Sequence, residues 1–192
     1  MELNNTTIGI GITGSFCTFD KTIEIIKMLK EQQLNIIPIM SYNAYNNDSR
    51  FGDAIKYIKQ IEEISNNKIL KTINAVEPIG PKNLLDILMV IPCTGNTLSK
   101  IANAISDTPI TCAVKSQLRN NKPVLLAIST NDGLSGNAKN IGELLNKKNI
   151  YFVPFKQDDY IKKPNSLSFN HDYIIESIEK ALNKIQIQPI LC

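Results

Sequence analysis

Three short runs of hydroxyl, amide and glycine residues hold most of the chemical potential of this sequence. They are Gly11-Ile12-Thr13-Gly14-Ser15, Thr94-Gly95-Asn96-Thr97 and Ser129-Thr130-Asn131-Asp132. Each follows an apolar run of strand type; the second is reached from Ile87–Ile91 through Pro92 and Cys93. A buried strand that ends this way and turns into a helix presents free backbone N–H groups and the positive end of a helix dipole, which suit a phosphate or a flavin ring. In the first run Gly14 allows close backbone approach, and the Ser15 hydroxyl and N–H suit a phosphate. The run falls short of G-x-G-x-x-G and no acidic residue closes the second strand, so it reads as a mononucleotide loop or as a plain tight turn. In the second run Asn96 can both donate and accept, Thr94 and Thr97 offer hydroxyls, and Gly95 would let a planar ring lie on the backbone. The plainer reading is a helix cap, for which Asn96 or Thr97 suffices. Asn131 is the polar residue of the third run, where Asp132-Gly133 also reads as a turn. Ser41, closing the second apolar strand, is either a further phosphate contact or a loop cap.

Other reactive types are sparse. Tyr42, Tyr45, Asn46 and Arg50 share the polar stretch after the second strand, and Arg50 could grip a carboxylate bidentately or stay solvated. Cys17 follows the first loop near a helix start, where a thiol pKa can fall, although a small packed residue is the commoner role. His171, between Asn170 and Asp172, reads as a surface cap at a helix start rather than as a catalyst. No catalytic base stands out. The four cysteines form no C-x-x-C pair and there is one histidine, so no metal site is expected.

The 192 residues suit one domain, 1–192, with its own core. The net charge of +3 is small and the lysines are scattered, which points away from nucleic acid. The start, Met1–Thr7, is polar, and no apolar run reaches bilayer-spanning length, so a reducing cytoplasm is the expected compartment and no membrane partner is implied.

Strands are expected at Ile8–Thr13, Leu34–Met40, Leu85–Ile91, Lys122–Ser129 and Ile150–Pro154, with a β-like segment at Lys68–Val76. Helices are expected over about 21–33, 51–64, 98–105, 111–119, 138–147 and 172–185, with loops at Tyr42–Arg50 and Pro164-Asn165-Ser166. Strands alternating with helices predict an α/β fold, a doubly wound parallel sheet in three αβα layers, because parallel neighbours need crossover helices. The three polar runs then meet at the carboxyl edge.

The chain resembles the flavoprotein family that holds the dipicolinate synthase B subunits and the homo-oligomeric flavin-containing cysteine decarboxylases. The resemblance rests on Gly11-Ile12-Thr13-Gly14-Ser15-Phe16-Cys17-Thr18, Ser49-Arg50-Phe51-Gly52, Glu77-Pro78-Ile79-Gly80-Pro81-Lys82, Thr94-Gly95-Asn96-Thr97, Ser129-Thr130-Asn131-Asp132, Asn149-Ile150-Tyr151-Phe152-Val153-Pro154-Phe155 and Lys162-Lys163-Pro164-Asn165-Ser166. It covers nearly the whole chain. It implies a Rossmann-like flavoprotein fold, with Gly14, Ser15 and Ser41 on the phosphate side of FMN, Thr94 to Thr97 around the flavin and Asn131 in the last polar loop.

For the B subunits it further implies a partner, the NAD(P)-binding A subunit. The pair would oxidise dihydrodipicolinate to dipicolinate in the mother cell of a sporulating bacterium. Arg50, Lys82 and Lys115 are then candidate grips on the dicarboxylate, and assembly as a homo-oligomer, a trimer or dodecamer, is expected. Two features depart from the decarboxylases. Their histidine near the third strand has no counterpart in Ile64–Glu77, and their Pro-Ala-Ser-Ala-Asn-Thr motif stands here as Pro92-Cys93-Thr94-Gly95-Asn96-Thr97. The other activities of the family, a stand-alone FMN-binding decarboxylase or a prenyl-flavin-type transferase, and a non-catalytic assembly role are the alternatives.

Overall fold

Strand β1 (Thr7–Ile12) alternates isoleucine with glycine, and the alternation divides the core. Ile8, Ile10 and Ile12 are buried on one face. On the other, a Cβ at Gly9 would lie 2.5 Å from Leu85 Cδ1, so glycine is what lets Leu85 close on the strand. The computed structural model describes residues 3–192; the first two residues of the polar N-terminal stretch lie outside it.

Parallel pairing carries β1 to β2 (Asn35–Met40) on one side and to β3 (Ile87–Cys93) on the other. From β3 the sheet continues in parallel to β4 (Val124–Thr130) and β5 (Ile150–Phe152). β3 and most of β4 are buried on both faces, as the uninterrupted apolar runs require. Helices α1 (Phe19–Glu31), α3 (Ala54–Ser65) and α8 (Ile174–Leu182) pack with Ile8, Ile87, Met89 and Leu125 on one side. Helices α5 (Gly95–Ala102), α6 (Pro109–Arg119) and α7 (Ala138–Leu145) pack with Leu88, Val90, Leu126 and Phe152 on the other. The result is the expected three-layer α/β arrangement.

Four expectations need correction. The sheet is mixed, because β6 (Phe155–Asp159) and β7 (Lys163–Phe169) form an antiparallel hairpin whose second strand pairs antiparallel with the end of β4. Pro164-Asn165-Ser166 therefore lies in a strand. Its pairing comes from Ser129 and Thr130, opposite Ser168 and Leu167, which local composition does not announce. In Lys68–Val76 only Leu70 pairs, through one bridge to Ile39. The rest turns into α4 (Ile73–Val76) because Thr72 Oγ1 accepts from Ala75 N at 3.1 Å and starts a helix. Tyr42–Arg50 opens with α2 (Tyr42–Asn46), started in the same way by Ser41.

Candidate functional site

The order β2-β1-β3-β4 reverses direction at the β1/β3 boundary. There the chain after β1 departs to one side and the chain after β3 to the other, so the carboxyl ends leave a crevice. This is the place where open α/β sheets of order 2-1-3-4-5 bind ligands. The crevice is laced by side chains. Thr13, 1% exposed, donates from Oγ1 to the Pro92 carbonyl at 2.6 Å and accepts from Thr94 N at 3.1 Å. One hydroxyl thus fixes the end of β3 relative to the end of β1. Ser15 Oγ lies 2.9 Å from Ser129 Oγ, joining the turn after β1 to the end of β4.

Helix α5 starts in this crevice. The Thr94 side chain does not cap it: its hydroxyl donates to Thr97 Oγ1 at 3.2 Å instead. The N–H groups of Gly95, Asn96 and Thr97 therefore have no acceptor within the helix and no side-chain cap. Such a start is electropositive and rich in donors.

Beside it lies a polar ladder. Asp132 Oδ1 accepts from Thr130 Oγ1 at 2.5 Å and Oδ2 from Asn137 Nδ2 at 2.8 Å, while Asn137 Oδ1 accepts from Asn140 Nδ2 at 2.8 Å. Both asparagines are buried.

The residues expected to hold a cofactor come together. Gly14 and Ser15 follow β1, Ser41 follows β2, Thr94 to Thr97 follow β3, and Asn131 follows β4. Asn96 and Asn131 are exposed, and their amides are open to a ligand. Gly14 has only ordinary contacts where a Cβ would stand, with Asn43 Cβ at 3.7 Å and the Phe16 ring at 3.8 Å, so internal packing does not demand glycine there. Gly95 is different: a Cβ would meet Asn137 Nδ2 and Thr130 Oγ1 at 2.5 Å and Asp132 Oδ1 at 2.6 Å. Its small size is required by the ladder beneath it, whatever ligand lies on its backbone. Ser41 Oγ accepts from Ala44 N at 3.3 Å and caps α2, which leaves its hydroxyl proton free to donate.

The cationic candidates do not converge. Arg50 lies beyond the carboxyl end of β2, its guanidinium 4.9 Å from the Phe51 ring centroid. Lys82 is exposed in the turn that leads to the amino end of β3, the opposite edge of the sheet. Lys115 is exposed on α6. His171 is exposed, 3.3 Å from Asp172, and the cap at that point is Asn170. Cys17 is exposed with Sγ 3.8 Å from Ser15 Oγ, whereas burial pushes the Cys93 thiol up to about 12 and leaves it protonated. Among the described residues no group of three or more His, Cys, Asp or Glu side chains could hold a metal ion, and no helix is long and apolar enough to cross a membrane.

Thr13, Ser129, Thr130, Asn137 and Asn140 also build the site, without standing out as ligand-binding residues in the sequence. The signal for the last two is their i, i+3 spacing at a helix start with Asp132 just upstream.

Residues 1–168 match the Flavoprotein family. The chain is 42% identical over 190 residues, 99% of its length and 95% of the relative's, to the dipicolinate synthase B subunit of Bacillus subtilis (strain 168). It superposes on the crystal structure of the dipicolinate synthase B subunit from Bacillus halodurans C with a TM-score of 0.92 at 40% identity, covering 100% of this chain and 98% of that one. The FMN-dependent cysteine decarboxylase SpaF shares the fold, with a TM-score of 0.70 at 20% identity, over 93% of this chain and 98% of that one.

Proposed function

The chain belongs to the Flavoprotein family, and on that basis we propose that it acts as the B subunit of a dipicolinate synthase. It takes part in the oxidation of dihydrodipicolinate to dipicolinate, pyridine-2,6-dicarboxylate, during bacterial sporulation. The observation that carries this reading is the 42% identity to the Bacillus subtilis protein over 99% of the chain.

A two-subunit enzyme implies a partner, which we read as an NAD(P)-binding A subunit, and the chain assembles with further copies of itself in the mother-cell cytoplasm. Aromatising a dihydropyridine is strongly downhill, so the protein's task is to hold the dicarboxylate beside a two-electron acceptor. FMN, when bound, supplies such an acceptor.

The residues at the β1/β3 edge suit that group. The open approach at Gly14, the hydroxyls of Ser15 and Ser41 and the turn after β1 fit a phosphate. The uncapped N–H groups of Gly95, Asn96 and Thr97, with the exposed Asn96 and Asn131 amides, fit the donor and acceptor edge of a flavin ring. Of the three cations, Arg50 is in the segment that follows the carboxyl end of β2, and we assign it the grip on a substrate carboxylate.

The test is dipicolinate formation by the purified A subunit with and without this chain. A rate that rises with added chain supports the reading. Equal rates, or decarboxylation of a thiol substrate by the chain alone, would replace it with an assembly role or with decarboxylase chemistry.

A further inference from the structure

The polar ladder beside α5 is more elaborate than a turn requires. Asp132 starts it, with both carboxylate oxygens occupied by Thr130 and Asn137. Its carbonyl accepts from Ser135 N at 3.1 Å and Asn137 N at 3.0 Å, so the loop closes on the same residue. Asn137 is held from behind by Asn140. The ladder presses on the backbone of Gly95, the first residue of α5, with three polar atoms within 2.6 Å of where a Cβ would stand. A carboxylate held at the first turn of a helix also faces the positive end of its dipole.

We propose that Asp132 is a positioning residue for the Thr94–Thr97 turn: its clamped carboxylate sets where α5 begins and therefore where the free N–H groups of that turn point. The ligand part of this inference rests on the flavin reading above, whereas the positioning itself does not need a ligand. The two asparagines add the requirement that donor and acceptor alternate. Exchanging the residues, D132N together with N137D, keeps every donor facing an acceptor: the new amide at position 132 donates to the new carboxylate at position 137, which still accepts from Asn140. N137D alone sets two carboxylates face to face, with no donor between them.

The experiment uses the full chain as wild type, D132A, N137D and the D132N/N137D exchange. Hydrogen exchange of the Thr94 and Leu98 amides, which donate to Thr13 Oγ1 and to the Thr94 carbonyl at this turn, is followed by NMR without ligand, and FMN affinity is followed by flavin fluorescence. In D132A and N137D, exchange of these two amides should quicken about tenfold or more while α1 and α3 keep their protection, and FMN should bind about tenfold more weakly. The double exchange should return both readings to within about threefold of wild type. Wild-type protection and affinity in D132A would overturn the proposal, as would a double exchange no better than N137D. Where D132A does not fold, the comparison of N137D with the double exchange still decides. If wild-type chain takes up no FMN, the flavin reading fails, and the exchange rates alone judge Asp132.

Discussion

The hydroxyls of Ser15 and Ser129 lie 2.9 Å apart, although 114 residues and the whole of β3 separate them. The turn after β1 must pass over the carboxyl end of β3 to make that contact. In doing so it draws the first and third polar runs to the second, and the three become one surface. Thr13 secures the same convergence from below, through the Pro92 carbonyl and the Thr94 N–H.

Ser15→Ala and Ser129→Ala should therefore separate. Removing the Ser15 hydroxyl takes away the proposed phosphate donor, and a hydrogen bond to a charged group is worth about 1.5–3 kcal/mol, so FMN affinity should fall roughly ten- to a hundredfold. Ser129→Ala leaves Ser15 in place and should cost less than about tenfold. Fluorescence titration of both variants checks the order; equal losses would show that the pair acts only as a unit.

Thr13→Val keeps the shape and deletes both bonds. The Pro92 carbonyl and the Thr94 N–H then lose their partner in a buried place, which should cost about 1–3 kcal/mol of stability. Urea unfolding measures it, and an unchanged midpoint would show that water replaces the hydroxyl.

Two glycines give opposite signs. Gly95→Ala drives a methyl into Asn137, Thr130 and Asp132 and should destabilise by about 1–3 kcal/mol. Gly142, exposed on α7 with nothing within 4 Å of a Cβ, should gain about 0.5–1 kcal/mol on becoming alanine. Thermal melts of the two variants report both.

The thiols should sort by burial. Cys17 and Cys192 are exposed and should react with a thiol reagent in the native chain, while Cys93, buried and held up to about 12, should react only on unfolding. Because the folded thiol keeps its proton after the unfolded one, with its ordinary value of 9.0, has lost it, the native state binds more protons above that pH. Stability should then fall between about pH 9 and 12, by roughly 1.4 kcal/mol per pH unit for this group. Urea unfolding at pH 8 and pH 10, wild type against Cys93→Ala, should show the difference between the two narrowing at the higher pH.

What the sequence makes legible is what local pattern encodes. The apolar runs at Ile87–Ile91 and Val124–Ile128 announce buried parallel strands, and the polar residues at their ends announce the edge where a ligand sits. The hairpin of β6 and β7 stays hidden because Phe155–Asp159 is mostly charged and β7 takes its pairing from distant Ser129 and Thr130. Gly95 is conspicuous in the sequence, yet its reason is not, since Asn137 lies 42 positions away and reaches it only through the fold. Lys82 looks available because sequence position does not reveal that the turn before β3 faces the opposite edge.

The central claim is that this chain completes a dipicolinate synthase. The most direct measurement follows dipicolinate absorbance on supplying dihydrodipicolinate and NAD(P) to the A subunit, with this chain titrated in. The rate should climb with the chain, saturate at a fixed subunit ratio, and fall when Ser15 or Arg50 is replaced by alanine. A rate indifferent to the chain at every ratio would contradict it.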